Sequence, residues 1–320
     1  MSWKPIADVA TARARAQMLD RARNYFRSQD VLEVCTPALQ RSAPTDPNIA
    51  SFEVMSGGQP SFLHTSPEYC MKRLLAAGYP DIFQICTVFR DNESGRLHLP
   101  EFTMIEWYRI GFGLQQIMND AVALTSKLIS NLTLRDPRFI SYRQVFRDSM
   151  DIDPLTASAE LIANALNADA GLRQSVGHDV DAWLDLAMAT RIAETFPDDR
   201  LTVVFHYPAS QAALARLCPR DAGVADRFEI FVGAIEIANG FVELNDSEEQ
   251  LERFQSDNQR RGNAGLPVHE IDAKLIDALR DGMPASAGVA LGLDRVLLID
   301  EALDDIRNVM TFMPGERDDR

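Results

Sequence analysis

Residues 81–110 read DIFQICTVFRDNESGRLHLPEFTMIEWYRI. Two runs rich in β-branched and aromatic residues, 81–90 and 101–110, flank a polar connector that contains Gly95. This pattern predicts two antiparallel strands joined by a hairpin loop. Further strand-like runs alternate with helical segments in the last third of the chain. The sequence therefore predicts an α+β fold in which an antiparallel sheet is flanked by helices.

Helical spacing of apolar residues predicts helices over 9–30 and 114–132 and a helical insertion at about 150–200. Another helix is expected after Ser66, which would cap it, with Pro67 at its first position. Because no internal repeat or linker divides the chain, we expect a single domain over residues 1–320. In the first helix we expect the core-facing residues to be Val9, Ala12, Ala16, Leu19, Ala22 and Phe26.

The composition is that of a globular protein with an acidic balance. The 320 residues include 32 Lys+Arg and 47 Asp+Glu, which gives a net charge of −15. This charge opposes broad attraction to nucleic acid or to an anionic membrane. No stretch approaches the roughly 18 apolar residues of a membrane span, and the N-terminus lacks the apolar core of a signal peptide. We therefore expect a cytoplasmic protein. Its four scattered cysteines fit no disulfide framework or zinc spacing.

Charged residues interrupt runs that should be buried. The segment RFEIFVGAIEIANGFVEL, residues 227–244, contains Glu229, Glu236 and Glu243 within otherwise apolar strands. Buried carboxylates are costly without cations, so metal ions, arginines or a cationic ligand are expected beside them. Arg90 and Arg295 end two further apolar runs. Since the chain has no P-loop or Rossmann motif, these groups indicate nucleotide binding of another kind.

In chain order, three segments resemble the motifs of the class II aminoacyl-tRNA synthetases. Residues 15–39, which end in VLEVCTPAL, are similar to motif 1, residues 82–109 to motif 2, and residues 286–300 to motif 3. The resemblance implies the catalytic domain of that class. Three strings are similar to the lysyl branch in particular: TSPEY at 65–69, PEFTMIEWY at 100–108 and EIANGFVEL at 236–244.

Two departures from the pattern of the lysyl-tRNA synthetases narrow the resemblance to a smaller group of proteins. Lysyl enzymes carry an anticodon-binding OB domain before motif 1, whereas motif 1 here begins almost at the N-terminus, so no such domain is expected. Ala290 occupies a position where lysyl enzymes have glycine. Together with WYR at 107–109 and HYPASQAALA at 206–215, these features resemble the truncated paralogues called elongation factor P–(R)-β-lysine ligases.

Membership of that family implies ATP-dependent activation of (R)-β-lysine, or of lysine, as the adenylate and its transfer to a lysine side chain of elongation factor P. Two alternatives remain open. One is a lysyl enzyme that charges tRNA or forms free lysyl-adenylate. The other is a synthetase-like regulatory protein without catalytic activity.

The resemblance also implies roles for individual residues in binding ATP and Mg²⁺. Arg90 would bridge the α-phosphate and the substrate carboxylate, Arg295 would hold the γ-phosphate, and both would be catalytic. Phe102 would stack under adenine and His98 would bind phosphates. The expected ATP-binding set is Arg90, Asp91, Asn92, His98, Phe102, Glu236, Ile237, Gly292 and Arg295, and the expected magnesium ligands are Glu229 and Glu236.

The diamino acid would be recognised at both ends. Glu68 would accept the amino group nearer the carboxylate, whereas Glu243 and Tyr108 would bind the terminal ammonium. Two substitutions in the motif 2 loop, Asn92 and Leu99, depart from the family pattern, and loss of one hydrogen bond there would weaken ATP binding by about 0.5–1.5 kcal/mol. The expected substrate-binding set is Ser66, Pro67, Glu68, Glu106, Tyr108, Asn239, Glu243 and Ala290.

The expected partners follow from the same family. Elongation factor P would be the acceptor protein, tRNA would not bind productively, and motif 1 would form the two-fold interface of a homodimer, with Pro37 ending its strand at an edge. The first 43 residues contain seven basic and four acidic side chains. Their arginines form either a solvated helix face or a basic docking patch.

Overall fold

A nine-stranded sheet with helices packed on it dominates the computed structural model, which describes residues 3–313. The α-helices within these residues are α1 Val9–Ser28, α2 Glu68–Ala76, α3 Leu114–Leu128, α4 Tyr142–Met150, α5 Ala159–Ala165, α6 Ala170–Val176, α7 Val180–Ala187, α8 Ser247–Asn263, α9 Ala273–Gly282 and α10 Leu293–Asp300. The strands are β1 Leu32–Glu33, β2 Leu39–Gln40, β3 Glu53–Ser56, β4 Gln59–Leu63, β5 Ile82–Phe89, β6 Glu101–Ile110, β7 Arg135–Ser141, β8 Arg200–Pro208, β9 Leu217–Cys218, β10 Asp221–Val232, β11 Ile235–Val242 and β12 Ser286–Gly292.

The strands of the large sheet follow the order β1-β5-β6-β12-β11-β10-β8-β7, and β9 pairs with β10. Neighbouring strands are antiparallel except at the two edges, where β1 pairs with β5 and β7 with β8 in parallel. The predicted hairpin is β5–β6, with Ile82 opposite Tyr108 and Phe89 opposite Glu101. The predicted α+β class is confirmed, with parallel pairing confined to the sheet edges.

The segment 31–39 does not form one continuous strand. It divides into β1 at the edge of the large sheet and β2 in a separate three-stranded sheet of order β2-β4-β3. Pro37 lies between the two pieces, and its lack of an N–H group explains why the pairing breaks there. The predicted edge position is confirmed for β1.

The predicted core face of α1 is wrong in the N-terminal half of the helix. Val9 is 68% exposed, and Ala12 and Ala16 are exposed as well. Two arginines of α1 form ion pairs with α10 instead. Arg15 Nη1 lies 2.5 Å from Asp294 Oδ1, and Arg21 Nη2 lies 3.3 Å from Asp300 Oδ2. The buried residues of α1 are Met18, Ala22, Tyr25 and Phe26.

A polar group on α3 connects the main core. Asp120 accepts a hydrogen bond from Trp107 Nε1 of β6 (3.0 Å) and another from the hydroxyl of Tyr25 of α1. The guanidinium of Arg109 lies 3.9 Å from the same carboxylate. Because buried polar groups are stable only when they are paired, this network fixes α1 and α3 against β6.

Two further groups of helices pack beside the sheet. Helices α4, α5 and α7 enclose a second core with β8 and β10, centred on Tyr142, Phe146 and Trp183. On the other side of the molecule α2 packs against α9. No helix within residues 3–313 combines the length and apolar character that crossing a bilayer requires.

Candidate active site

A cavity of about 690 Å³ lies against the large sheet and brings most of the predicted site residues together. Its walls come from β6, β10, β11, β12 and α2, with further side chains from α7 and α8. The predicted residues that line it are Ser66, Pro67, Glu68, Arg90, Glu106, Tyr108, Glu229, Glu236, Asn239, Glu243 and Ala290.

Strand register explains why distant residues meet in this cavity. Glu106 lies opposite Ala290, Ala290 opposite Asn239, and Asn239 opposite Glu229. Since residues directly opposite each other in adjacent strands point to the same face, these four side chains form one row across four strands. Glu106 and Glu229 lie at the two ends of this row, so the two carboxylates are on opposite sides of the cavity.

Three carboxylates, Glu68, Glu106 and Glu243, crowd one end of the cavity. Glu106 is 2% exposed and accepts hydrogen bonds from Ser66 Oγ (2.6 Å) and from Tyr108 Oη (2.7 Å). Ser66 Oγ also accepts a hydrogen bond from the Glu68 backbone N–H (3.0 Å), so it joins the start of α2 to β6. The predicted cap is one residue too early, because α2 begins at Glu68 with Pro67 as its N-cap. Ser66 precedes the cap, bonds the first N–H of the helix and holds a cavity carboxylate.

A buried lysine neutralises part of this charge. Lys72 is 2% exposed, and its Nζ lies 2.6 Å from Glu68 Oε1 and 2.6 Å from Glu243 Oε2. Burial alone would lower the pKa of Lys72, but the carboxylates of Glu243 and Glu68 outweigh burial and raise that pKa. Lys72 is therefore a permanent cation inside the cavity wall.

The carboxylates of the cluster are hard to ionise together. Burial, with repulsion from Glu68, raises the pKa of Glu106 to about 7. Burial also raises the pKa of Glu243 to about 8, against the opposing charge of Lys72. Neither oxygen of Glu243 has a hydrogen bond of good geometry with any described residue. This end of the cavity therefore has unused capacity to bind a cation.

Gly288 has no side chain, and this allows Tyr108 and Glu243 to lie close to the backbone of β12. A Cβ at this position would lie 2.5 Å from Tyr108 Cε1 and 2.6 Å from Glu243 Oε1. Both distances are shorter than any ordinary contact, so a larger residue would displace both groups. Ala290, two residues along β12, lies on the same face of the strand and lines the cavity.

The opposite side of the cavity holds the two predicted magnesium ligands. Glu229 accepts hydrogen bonds from Arg227 Nη2 (2.6 Å) and from Tyr207 Oη (2.6 Å). Burial, together with repulsion from Glu236, raises the pKa of Glu229 to about 7. Two neighbouring carboxylates that repel each other offer the hard oxygen ligands that Mg²⁺ prefers. The residues present therefore fit a magnesium ion, which would be held by Glu229 and Glu236.

A cationic rim lies beside these carboxylates. Arg295 donates to the Glu236 carbonyl oxygen (2.8 Å), to the Leu97 carbonyl oxygen (3.2 Å) and to His98 Nε2 (2.7 Å). Burial and the charge of Arg295 lower the pKa of His98, which favours the neutral imidazole that accepts this bond. Motif 3 is thus joined to the motif 2 loop and to β11.

The second predicted catalytic arginine has a different environment. The guanidinium of Arg90 lies 5.2 Å from the centre of the Phe102 ring, and Nη1 lies 3.7 Å from Glu93 Oε1. Its buried Nε has no hydrogen-bond partner among the described residues. A buried donor without a partner is costly, so Arg90 is available to an anionic ligand.

Several residues of the predicted ATP-binding set do not line the cavity: Asp91, Asn92, His98, Phe102, Ile237, Gly292 and Arg295. Some of them are nevertheless close to one another, since a Cβ on Gly292 would lie 3.9 Å from Arg295 Cδ and 4.0 Å from the Ile237 carbonyl oxygen. Asp91 accepts a bond from the Asn92 N–H (2.8 Å), and Asn92 has a left-handed φ of 63°. Leu99 is 3% exposed and packs in the main core.

A second group of possible metal ligands lies outside this cavity. His206, Cys218 and Asp226 place their ligand atoms within 4.8 Å of one another. The Asp226 carboxylate, however, lies 2.9 Å from Arg216 Nη2, which supplies a positive charge from the protein itself.

The arrangement separates two kinds of charge. Three carboxylates at one end of the cavity suit a ligand with ammonium groups, whereas Arg90 in the cavity wall and Arg295 outside the cavity suit phosphates. Glu229 and Glu236 lie where a divalent cation could neutralise a polyphosphate. A site with these properties can bind a diamino acid and a nucleoside triphosphate side by side.

This fold and site define a class II tRNA synthetase. The profile of the class II tRNA synthetases (D, K and N) matches residues 8–315, so the chain belongs to this family. Within the family it is similar to proteins named elongation factor P–(R)-β-lysine ligase. It is 42% identical over 318 residues to the protein of that name from Sodalis glossinidius and 41% identical over 318 residues to that from Photorhabdus laumondii. Each of these alignments covers 97% of this chain and 97% of the relative. The family resemblance drawn from the motifs is confirmed.

Sequence reasoning missed three contributors to the cavity. Lys72 follows Glu68 by four residues, which is the usual spacing of a solvated ion pair on a helix, so nothing marked it as buried. Arg227 begins the acidic strand run and was not recognised as the partner of Glu229. The helical insertion contributes Asp181 and Asp185 of α7 to the cavity wall. Only the acidic character of the insertion could have indicated this.

Glu106 provides a test of the cavity electrostatics. Its pKa is raised from 4.5 to about 7, so the folded protein holds a proton there that the unfolded chain releases. The proton on Glu106 makes its full contribution to the free energy of unfolding below about pH 4.5. This contribution is lost as the pH rises through 7, at up to about 1.4 kcal/mol per pH unit. We expect Glu106→Gln to flatten the fall in the free energy of unfolding between pH 5 and 7, measured by urea denaturation without ligand.

The matched control is Glu252→Gln, which changes an exposed carboxylate on α8. Its pH profile should follow that of the parent protein. An unaltered slope in Glu106→Gln would contradict the assignment of a shifted carboxylate to this position.

Proposed function

We propose that this protein activates (R)-β-lysine, or lysine, with ATP and transfers the acyl group to a lysine side chain of elongation factor P. The observation that carries the proposal is the cavity whose carboxylate cluster matches a diamino acid, with Arg90 in its wall to match a phosphate. The names of the relatives, whose alignments cover 97% of the chain, support the same activity. Because the acceptor is a translation factor, the reaction belongs in the cytoplasm.

The first step needs charge stabilisation more than a base. A carboxylate oxygen of the substrate, already ionised at neutral pH, attacks the α-phosphorus of ATP, and pyrophosphate leaves as the acyl-adenylate forms. Arg90, whose Nε is unpartnered, spans the substrate carboxylate and the α-phosphate. Arg295 holds the γ-phosphate with His98 beside it. A magnesium ion held by Glu229 and Glu236 would add positive charge at the phosphates.

Nucleotide binding depends on the motif 2 and motif 3 residues around these arginines. Phe102 stacks under adenine, and the backbone near Ile237 and Gly292 leaves space in which the nucleotide binds. Asp91 and Asn92 shape the loop that covers it. Their positions away from the main cavity are consistent with a nucleotide that extends beyond the diamino-acid site.

The diamino acid is recognised by its two ammonium groups. Glu68 at the start of α2 takes the amine nearer the carboxylate, and Glu243 with Tyr108 takes the terminal one. Asn239, which accepts a bond from Arg227 Nε (3.2 Å), lies near the substrate carboxylate. Ser66 and Pro67 position Glu68. The methyl group of Ala290 shapes the pocket between these ends, so we assign it a part in selecting the β-isomer.

In the second step the acceptor amine attacks the acyl carbon of the adenylate, an amide bond forms, and AMP leaves. The net charge of −15 disfavours tRNA as the acceptor, because tRNA binding draws on neutralisation of phosphates. The presence of Arg90, Arg295 and the metal carboxylates disfavours a regulatory protein without activity. We propose that the whole chain acts as one catalytic domain, with motifs 1, 2 and 3 at 15–39, 82–109 and 286–300.

The two arginines should be essential for adenylate formation. We expect Arg90→Ala and Arg295→Ala each to lower ATP–pyrophosphate exchange by about a hundredfold or more, since each removes a charge that stabilises the transition state. Melting curves must show that both variants fold. Near-normal exchange in a folded variant would remove that arginine from the mechanism.

The acceptor is tested by intact mass. Incubation with ATP, β-lysine and purified elongation factor P should add one acyl residue to the factor, whereas total tRNA should remain uncharged under the same conditions. Efficient charging of tRNA with no mass change on the factor would replace the proposal by the lysyl-tRNA synthetase alternative.

We also propose a symmetric homodimer built on motif 1. Strand β1 lies at the sheet edge, where Leu32 is 45% exposed, and a groove lined by Cys35 and Gln84 runs beside it. Buried polar atoms of Gln84 and Thr36 in this groove have no partner among the described residues, which suits a second copy. Sedimentation should give a dimer, and Pro37 substitution should weaken it. A fully active monomer would contradict the proposal.

A further inference from the structure

We propose that Lys72 is a positioning and specificity-determining residue, which holds Glu68 and Glu243 in place and sets the charge of the pocket to match a ligand with two ammonium groups. The inference rests on the proposed function for the identity of that ligand. The inference adds Lys72 to the residues of the proposed site, as the internal cation that determines how many positive charges the ligand must supply.

The geometry places Lys72 between Glu68 and Glu243, the two carboxylates proposed to bind the amines of the ligand. Its Nζ lies 2.6 Å from one oxygen of Glu68 and 2.6 Å from one oxygen of Glu243. The same ammonium lies 5.4 Å from the centre of the Phe241 ring. Glu68 is on α2 and Glu243 follows β11, so the lysine is the link that keeps these two separate elements at a fixed spacing.

The lysine leaves room for a ligand. Glu68 retains its second oxygen, and neither oxygen of Glu243 has a hydrogen bond of good geometry with a described residue. A buried carboxylate that touches a cation on one side and an open cavity on the other can accept an ammonium from the ligand. Lys72 therefore orients both acceptors without using up their capacity.

Charge counting gives the specificity. In the empty protein the raised pKa values of Glu106 and Glu243 favour protonation of these carboxylates. When a ligand brings ammonium groups that allow Glu68, Glu106 and Glu243 to ionise together, the three negative charges and the one positive charge of Lys72 leave two negative charges for the ligand. The nearby arginines do not alter this count, because Arg253 is paired with Glu249 and Arg227 with Glu229. Two ammonium groups neutralise the pocket, whereas a ligand with one ammonium leaves a buried carboxylate unpaired.

Loss of the lysine should therefore act on the diamino acid and not on ATP. In Lys72→Ala we expect the KM for β-lysine or lysine in ATP–pyrophosphate exchange to rise at least tenfold, while the KM for ATP stays within about twofold. n-Propylammonium chloride, which replaces the side-chain atoms removed beyond Cβ, should restore the KM severalfold. The neutral n-propanol should not, because it fills the space without the charge.

Arg216→Met serves as the matched control. It removes another cation that pairs with a buried carboxylate, that of Asp226, outside the cavity. This variant should lose thermal stability and keep the parent KM for the diamino acid. An unchanged KM in folded Lys72→Ala, or equal rescue by n-propanol, would overturn the proposal and leave Lys72 as a structural ion pair only.

Binding supplies an independent readout. If Lys72→Ala does not fold, Lys72→Met retains most of the apolar volume and takes its place in the same assays. If the parent protein shows no exchange at all, the proposed function fails, but thermal shifts still test Lys72. Cadaverine should stabilise the parent more than n-pentylamine does, and the variant should lose that preference because Glu68 and Glu243 are no longer held at the spacing that binds both ammonium groups. Retention of the preference would overturn the proposal.

Discussion

The backbone hydrogen bonds that pair β6, β12, β11 and β10 determine which side chains face the cavity. They align Glu106, Ala290, Asn239 and Glu229 in one row. Side chains alternate between the faces of a strand, so a slip of one residue in any of these pairs would send its polar group into the apolar core on the other face. The network of Asp120 with Tyr25 and Trp107 anchors β6 from that other face.

The second constraint is electrostatic. Burial, together with repulsion between neighbouring carboxylates, raises the pKa of Glu106 and of Glu229, and such a cluster destabilises the empty protein. The protein limits this cost with internal cations, Lys72 between Glu68 and Glu243 and Arg227 beside Glu229. Under the proposed function, the ligands neutralise the remaining negative charge, and the groups that bind them are also those that weaken the unliganded fold.

The sequence predicted those parts of the protein whose signal is local or carried by a motif. Strands β5 and β6 follow from their β-branched and aromatic residues, and the clustering of Glu68, Glu106 and Glu243 in one cavity agrees with the residues named from the motifs. The burial of Lys72 could not be read from the sequence, because its spacing from Glu68 is equally typical of a solvated helix. The exposed face of the first half of α1 was mispredicted for a related reason. Apolar spacing does not reveal that Arg15 is tied to Asp294.

Positions 288 and 290 on β12 differ sharply in how freely they can change. Gly288 is enclosed by Tyr108 and Glu243, so any added atom there would displace both side chains. Ala290 lines the cavity, so a change in the size of its side chain alters the cavity volume directly. Among proteins with this sheet, substrate preference can therefore change through substitutions at position 290 of β12, where different small residues can be exchanged. Position 288 must remain glycine.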